Sequence, residues 1–393
     1  MRIIGSSIAA VAASIGQVAE FVDGMDPGPK WIEAAGQAVL IADEPELAPV
    51  MQGLVIPVTQ LERTFLSKYS AGSSYTAYFF EWFNNRYIFI GRSSSSGRFY
   101  SSPNLQDDPI QRASVTSFTP YQYSMGGGKL CVYQSSVTSL HQVTSDGISW
   151  ASAPSTISSQ SGLPSTTIFA AGYHQGFHIV AGTGGRIARS ANGETGWTGF
   201  TLPSGQQINA IASSPELGRI VAACNSGVIA RSDDGGATWS ETNTGISEAL
   251  SVVAWDGDNF TFIGPNGRYV RTADGINVDA VGVIAPGMST PQDLIWIEEK
   301  GIHMLAASSR DYDGRSALMS FGKDLQGLKH HYLGSEKPSS WRKVNWANGK
   351  LLASSGGNAF AASAGITYDP ATHFVVPDLK AELGYKKWIR ARA

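Results

Sequence analysis

The sequence is poor in cysteine and in charged residues, and it has no long apolar run. Its 393 residues include two cysteines, 16% charged residues and a formal net charge of −3. Such a charge balance excludes the basic field by which proteins bind nucleic acid through phosphate contacts. An apolar run of about 18 residues would predict a transmembrane helix, and its absence predicts no membrane insertion. We expect Cys131 and Cys224 to be small buried apolar groups, without a disulfide.

Motifs of catalysis and metal binding are also missing. The seven histidines have no metal-ligand spacing such as His-Glu-x-x-His. No nucleophile elbow, phosphate loop or dinucleotide fingerprint appears. Asp256-Gly257-Asp258 begins like a calcium loop but lacks the later acidic ligand, so it predicts a turn. We therefore expect no catalytic residue, no metal and no cofactor.

What the sequence does have is a unit repeated about seven times at intervals of about 41 to 49 residues. Each copy contains a short apolar strand, a glycine-containing turn, a second strand and often a polar hairpin followed by tryptophan. The clearest copies are residues 178–197 and 219–239. The first strands end at Gly91, Tyr133, Gly182, Ala223, Gly264, Ala307 and Ser354. This period predicts one four-stranded propeller blade per repeat, with the apolar strands innermost.

The polar hairpins share a second pattern, Ser-x-Asp-x-Gly-x-Thr-Trp. Residues 232–239 match every position, through Ser232, Asp234, Gly236, Thr238 and Trp239. This segment resembles the Asp-box of sialidases and related propellers. Looser copies carry Asp146 with Trp150, Asn192 with Trp197, and Asp274 without a tryptophan. Because the hairpin recurs in several blades, we interpret it as a structural staple: the carboxylate accepts backbone N–H bonds and the indole covers the space between strands.

The predicted fold class is all-β. We expect a seven-bladed propeller over residues 71–366, with six or eight blades as alternatives, and a small domain formed from residues 1–70 and 367–393. The apolar residues 8–22 predict a short helix near the N-terminus. Residues 1–20 contain a single arginine, and we expect no cleaved signal there.

The flanking segments carry a further resemblance. Near the N-terminus, Trp31, Gly36 and Gln37 lie in a segment similar to the opening of the bacteriophage tail-collar domain. Near the C-terminus, a later hallmark of that family is similar to Phe374 followed by Pro377-Asp378-Leu379, and the ending around Trp388 resembles those of phage tail fibres. After Leu379 the family usually has Arg-Gly, whereas this chain has Lys380-Ala381. The order of the two halves suggests a collar-like domain that carries the propeller as an insertion.

The resemblance implies a non-enzymatic tail protein of a bacteriophage, located in the virion and assembled in the host cytoplasm. Its expected partners are other tail proteins, a host-surface glycan or protein receptor, and further copies of itself. One alternative is a glycan-cleaving tailspike or sialidase-like hydrolase. Another is a cellular assembly factor, because similar propellers occur in photosystem assembly proteins.

The hydrolase alternative needs an arginine cluster, which the sequence does not show. Arg189, Arg231 and Arg271 recur at equivalent places before the hairpins, which favours pairing at or between blades over convergence on one substrate. The sequence does not exclude a pair of carboxylates for glycoside hydrolysis, because different blades can bring two such residues together. The longest loops are expected over residues 134–166 and 310–343, as recognition regions. Aromatic residues that could stack on sugars include Tyr121, Tyr123, Tyr173, Trp255 and Trp346.

Overall fold

The computed structural model describes residues 18–19, 31–33, 38–40, 62–64, 75–104, 109–285, 288, 290–310, 316–331, 341–355, 359–363, 373–375 and 388–390. The chain divides into two compact units. The larger contains residues 64–331 and 338–362, and the smaller contains residues 1–63, 332–337 and 363–393. The larger unit is a seven-bladed β-propeller, as the repeat predicts.

Four short strands come first in the chain: β1 (Val18–Ala19), β2 (Trp31–Glu33), β3 (Ala38–Leu40) and β4 (Glu62–Thr64). The predicted helix over residues 8–22 is wrong at Val18–Ala19, and its other residues lie outside the described part. Pairing with a distant strand overrides the local helical preference of small apolar residues there.

Blades 1 to 6 are four-stranded antiparallel sheets, each built from consecutive strands. Blade 1 contains β5 (Tyr75–Phe83), β6 (Arg86–Ser93), β7 (Ser96–Ser102) and β8 (Ile110–Val115). Blade 2 contains β9 (Gln122–Gly126), β10 (Lys129–Tyr133), β11 (Gln142–Thr144) and β12 (Ala151–Ser152). Blade 3 contains β13 (Ile168–His174), β14 (Phe177–Gly182), β15 (Arg186–Ser190) and β16 (Thr198–Thr201).

The next three blades follow the same order. Blade 4 contains β17 (Ile208–Ser214), β18 (Arg219–Cys224), β19 (Val228–Ser232) and β20 (Ser240–Asn243). Blade 5 contains β21 (Val252–Trp255), β22 (Phe260–Ile263), β23 (Arg268–Thr272) and β24 (Ala280–Val283). Blade 6 contains β25 (Pro291–Ile297), β26 (Ile302–Arg310), β27 (Ser316–Gly322) and β28 (Lys329–His331).

Blade 7 takes its strands from both ends of the propeller sequence. It contains β29 (Trp341–Ala347), β30 (Lys350–Ser355) and β31 (Ala359–Ser363), and β4 is its fourth strand. Because β4 precedes blade 1 in the chain and pairs within blade 7, the circle of sheets has no open end.

The repeat in the sequence is out of phase with the blades. The strands expected to be innermost, which end at residues such as Gly182 and Ala223, are the second strands β14 and β18. Each pairs on one side with a less regular strand, β13 or β17, which begins the blade. These first strands repeat poorly in sequence because they are bulged and carry polar residues.

Residues 134–166, expected as a long loop, contain two strands of blade 2 and a helix. The helix α1 spans Ile157–Ser161; the Thr156 hydroxyl accepts a hydrogen bond from the Ser159 N–H at its start, and Gly162 ends it with φ of 71°. The second expected loop, residues 310–343, contains all of β27 and β28. Both predictions of long loops are therefore wrong, because outer strands here are short and polar.

The hydrophobic core lies between neighbouring blades. Trp239 of blade 4 packs with Ile179 of blade 3, and Trp197 of blade 3 packs with Tyr133 of blade 2. Trp150 of blade 2 lies with its ring 4.4 Å from that of Phe99 in blade 1. Each hairpin tryptophan thus joins its own blade to the preceding one. Cys131 and Cys224 are buried and unpaired in two of these clusters.

A tight turn after the second strand recurs in blades 3, 4 and 5, and its last glycine has positive φ. In blade 4 this glycine is Gly227, with φ of 64°, and a Cβ there would overlap the carbonyl oxygen of Ile246. Gly205 has φ of 65° and nothing within 4 Å of a Cβ. The two sites therefore share the backbone strain that alanine introduces and differ in the overlap.

We expect Gly227→Ala to lower the free energy of unfolding by about 2 kcal/mol more than Gly205→Ala does. Urea titration of the two variants beside the parent protein measures this difference. Equal losses at both positions would show that the turn relaxes away from Ile246 without cost.

In the smaller unit, strands from the two ends of the chain pair with each other. β32 (His373–Val375) pairs with β3, and β33 (Trp388–Arg390) lies between β1 and β2. Trp31 is opposite Arg390, and Phe374 is opposite Val39. Three of the collar-like positions, Trp31, Phe374 and Trp388, are thus strand residues. The others, Gly36, Gln37, Pro377, Asp378 and Leu379, lie outside the described residues.

Candidate functional site: the central channel

The polar hairpins lie between the third and fourth strands of their blades, away from the channel. In blade 4 the Asp234 carboxylate accepts hydrogen bonds from the N–H groups of Ala237 and Thr238, both at 2.9 Å, and from the Thr238 hydroxyl at 2.6 Å. Ser232 accepts the Gly236 N–H at 2.9 Å, and the Trp239 indole donates to the Gly236 carbonyl at 3.1 Å. Each hairpin is held by its own side chains.

The other hairpins use the same bonds. Asp146 accepts the N–H groups of Ile148 and Ser149, and Asp274 accepts those of Ile276 and Asn277. Backbone donors hold the pKa of Asp146 at about 2. For Asp274, desolvation opposes the backbone donors, and the pKa still falls to about 2. In blade 3, Asn192 accepts the N–H groups of Glu194 and Thr195.

Each of the recurrent arginines is held by a partner in its own blade or in the next one. Arg189 of blade 3 donates to the carbonyls of Asp234 and Gly235 in blade 4, at 3.0 and 2.9 Å. Arg231 pairs with Asp233, and Arg271 pairs with Asp256 at 2.8 Å. Each arginine has a local partner, so the three do not meet at one substrate position.

Around the channel, the innermost strands share an irregularity that the sequence did not reveal. In five blades one extra residue bulges near the start of the strand, and in the other two the N–H of the equivalent residue bonds the carbonyl opposite, from Tyr121 to Tyr133 at 2.8 Å and from Ser251 to Ile263 at 2.9 Å. We call these seven positions the bulge ring: Tyr78, Tyr121, Phe169, Asn209, Ser251, Gln292 and Arg342. Because the innermost strands run in the same direction, the ring surrounds one end of the channel.

The bulge ring is aromatic and cationic on one side. The Arg342 guanidinium lies 4.8 Å from the centre of the Tyr78 ring, and Tyr121 meets Phe169 edge to face at 6.2 Å. Burial raises the pKa of Tyr121, and the charge of Arg342 opposes this rise. The opposite side of the ring carries the amides and hydroxyl of Asn209, Ser251 and Gln292. One mouth of the channel therefore has an apolar arc facing a polar arc.

Inside the mouth, the channel encloses a cavity of about 350 Å³ lined by all seven innermost strands. Each of these strands is an edge of its sheet, so its unpaired backbone groups face the cavity. Tyr123, Tyr173 and His174 contribute side chains to the wall. Of the aromatic residues considered for stacking, Tyr123 and Tyr173 thus reach the cavity and Tyr121 its mouth. Trp255 and Trp346 instead bond glutamates, Glu216 and Glu299.

A charged cluster lies in the wall where blades 1, 2, 6 and 7 meet. Lys343 approaches Asp293 at 3.2 Å, and the other Asp293 oxygen accepts the Val344 N–H at 3.0 Å. Beside them, the Glu81 side chain is 1% exposed and accepts a hydrogen bond from the Asn345 amide. Desolvation raises the pKa of Glu81 to about 8. A hydrogen bond from the Tyr123 side chain opposes this rise, and the nearby charge of Asp293 adds to it. Glu81 therefore holds a proton at neutral pH.

Sequence reasoning did not single out Glu81, although a signal was present. Glu81 interrupts the aromatic strand 75–83, and this strand contains no lysine or arginine that could pair with it. A carboxylate in an otherwise buried strand indicates a special environment.

A second cluster with a titratable side chain, around His178, is closed to solvent. His178 bonds the Ser124 hydroxyl at 2.7 Å, and Ser124 bonds the Tyr133 hydroxyl at 2.7 Å, with His178 and Ser124 at most 1% exposed. Burial lowers the pKa of His178 to about 4. Within the described ranges, no group of three histidine, cysteine or acidic side chains is arranged to hold a metal ion. No helix in the described part is long and apolar enough to cross a membrane.

Comparison with known proteins supports the fold. No protein-family model matches the sequence, and a search of curated proteins also finds no match. A solved structure of YCF48 bound to a D1 peptide has a TM-score of 0.57 at 14% identity, covering 91% of this chain and 100% of that chain. YCF48 from Cyanidioschyzon merolae has a TM-score of 0.54 at 12% identity, covering 74% and 95% respectively. The WD40 repeats of RRP9 reach 0.50 at 9% identity, covering 78% and 95%. At these identities the likeness shows the propeller fold alone.

Proposed function

We propose that this chain is a non-enzymatic binding protein whose propeller holds a segment of a partner polypeptide at the bulge ring. The observation that carries the proposal is the aromatic arc at the channel mouth. Tyr78, Tyr121 and Phe169 come from successive blades and are only partly buried, which leaves ring surface for a ligand. Aromatic residues in such positions supply much of the energy of peptide recognition.

The channel wall adds complementary bonding groups. An extended segment that enters the mouth meets backbone edges on all sides, together with the amide of Gln292. Main-chain bonds of this kind bind a polypeptide with little dependence on its sequence, and the side-chain contacts then select among segments. The likeness to YCF48, which is solved with a D1 peptide, supports this function and the alternative of a cellular assembly factor.

Two observations favour binding over glycan cleavage. The recurrent arginines are each held by a partner in their own blade or in the next one, with Arg189 bonded to the neighbouring hairpin. Glu81 and Asp293 do come together at the channel, but Lys343 pairs with Asp293, so the second carboxylate is already engaged by a cation of the protein. A hydrolytic pair needs both carboxyls in contact with the sugar and a water.

The test begins with peptides selected from a library of short random sequences on the immobilised full-length protein. We expect Tyr121→Ala and Phe169→Ala each to weaken the selected peptides at least about tenfold, because each removes an aromatic anchor. Fluorescence anisotropy with labelled peptides measures the change in dissociation constant.

Val283→Ala is the matched control, because Val283 is 49% exposed on the outermost strand of blade 5. It removes exposed apolar surface far from the channel mouth, and we expect no change in affinity. Selected peptides that bind both aromatic variants as tightly as the parent protein would overturn the proposal, as would a library that yields no binder.

A second candidate is the bacteriophage tail protein that the terminal segments suggest. The observation in its favour is the pairing of the two ends of the chain, with Trp31 on β2 and Trp388 on the adjacent β33. In this function the smaller unit attaches the chain to other tail proteins, and the propeller binds a host-surface glycan or protein. Density-gradient purification of virions, probed with an antibody to this chain, tests it. A chain that stays out of the virion band contradicts the tail function.

A further inference from the structure

The Glu81 carboxyl has a free acceptor in a place where a ligand can meet it. Asn345 donates to Oε2, and the nearby Tyr123 hydroxyl also acts as a donor to the carboxyl, whereas Oε1 itself has no hydrogen-bond partner among the described residues. The side chain is 1% exposed and forms part of the cavity wall. A buried acceptor without a donor costs free energy, and a bound donor removes that cost.

The surrounding charges indicate which kind of donor fits. The other ionisable groups that line the cavity are Tyr123 on β9, Tyr173 and His174 on β13, Asp293 on β25 and Lys343 on β29. Lys343 is paired with Asp293, and burial lowers the pKa of His174 to about 4, so this histidine is neutral at physiological pH. Arg342, also on β29, stacks on Tyr78 at the mouth. When Glu81 is ionised, the lining therefore has one carboxylate more than its cations balance.

We propose that Glu81 is the binding site for a cationic side chain, the guanidinium of an arginine or the ammonium of a lysine, presented by the polypeptide segment that the bulge ring holds. This inference rests on the proposed function and specifies one residue of the partner. A guanidinium provides several N–H donors in a plane, enough to bond Oε1 while also reaching the backbone carbonyls of the wall.

Binding of the cation is linked to the release of a proton. Free Glu81 carries a proton at neutral pH, and the cation binds the ionised form, so the carboxyl proton passes to the solvent as the cation enters. The observed affinity must therefore rise with pH until Glu81 is ionised without the ligand. Since burial raises the pKa of Glu81 to about 8, the affinity is expected to increase about tenfold between about pH 7 and pH 9.

The experiment uses methylguanidinium chloride as the probe and N-methylurea as its neutral counterpart of the same shape. Methyl NMR of the full-length protein follows Met125 and Ile295, which line the cavity, at constant ionic strength. We expect methylguanidinium to shift both signals and to bind about tenfold more tightly at the higher pH, because its charge does not titrate in this range. N-methylurea is expected to bind more weakly, with no pH dependence.

Glu81→Gln keeps the shape of the neutral side chain and removes its charge. In this variant we expect methylguanidinium to lose at least about tenfold in affinity at the higher pH and to become independent of pH. Glu248→Gln is the control, because Glu248 pairs with Arg268 on the surface. Methylguanidinium that binds Glu81→Gln as it binds the parent protein, or binds equally at both pH values, overturns the inference.

Failure of the cation site can be distinguished from failure of the proposed peptide-binding function. If selected peptides depend on Tyr121 and Phe169 but bind Glu81→Gln normally, the peptide site stands and the cation site is refuted. If methylguanidinium depends on Glu81 while no peptide binds the mouth, the cation site stands and the peptide-binding function is refuted.

Discussion

Replacing Asp256 with alanine is expected to lower the free energy of unfolding by about 3 to 5 kcal/mol. The Asp256 side chain is fully buried and bonds Arg271 at 2.8 Å. Its other oxygen accepts the N–H groups of Asp258 and Asn259, at 3.0 and 2.8 Å, and so forms the turn predicted at Asp256-Gly257-Asp258. Alanine leaves the Arg271 charge without its partner and two turn N–H groups without an acceptor.

The same turn provides a matched control. Asp258 pairs with Lys323 at 2.6 Å, but its side chain is 69% exposed. Water solvates both charges after the pair is broken, so Asp258→Ala is expected to cost at most about 1 kcal/mol. Urea titration of the two variants at neutral pH measures both values. Losses of equal size at the two positions would show that water reaches Arg271 once Asp256 is removed.

The number of blades could be predicted because the outer parts of the blades repeat. Hairpins such as residues 232–239 bond within themselves, so their chemistry is local and visible in the sequence. The tryptophans are visible for a similar reason, because each fills an equivalent gap against the preceding blade. The phase of the repeat was wrong because the innermost strands have no such shared pattern.

The channel site was not predictable to the same extent. Glu81 and Asn345 are 264 positions apart, and their contact exists only because the ring closes. The bulges are also hidden, since the extra residue differs in type among the five bulged blades, from Tyr78 to Arg342. What the sequence does show at this site is the charged residue within an aromatic strand. Its meaning depends on the neighbouring blades, which determine whether the carboxyl is paired, neutral or free.

The pairing of the two ends of the chain was more predictable than the channel site and less predictable than the number of blades. The resemblance to tail-collar proteins placed its two halves at opposite ends of the sequence, and the structure pairs strands from those ends, with Ile32 opposite Ile389. A resemblance can indicate such a pairing where periodicity does not, because strands of three residues have no readable pattern. The identity of the smaller unit as a collar-like domain remains a proposal.

Glu81→Gln is expected to be more stable than the parent protein in alkaline solution and equally stable in acid. Burial raises the pKa of Glu81 from 4.5 in the unfolded chain to about 8 in the folded protein. The folded state therefore holds the proton more tightly, so this group's favourable contribution is complete below about pH 4.5 and is lost as the pH rises through about 8. Glutamine resembles the protonated form at every pH, so the variant does not lose this contribution.

Above about pH 8 the difference between the two proteins is expected to approach about 5 kcal/mol, the difference between pKa values of 4.5 and about 8 multiplied by about 1.4 kcal/mol per pH unit. Urea titrations at a series of pH values measure it, and carbon NMR of the Glu81 carboxyl gives the pKa directly. Glu248→Gln is expected to differ from the parent in the opposite direction, because hydrogen bonds from its own backbone N–H and from Arg268 hold the pKa of Glu248 below its usual range. Parallel stability curves for the parent and Glu81→Gln would mean that Glu81 titrates normally and that water hydrates its carboxylate. A normal pKa would also remove the proton release that the channel couples to the arrival of a cation, so this measurement links the stability of the empty propeller to the chemistry of its ligand.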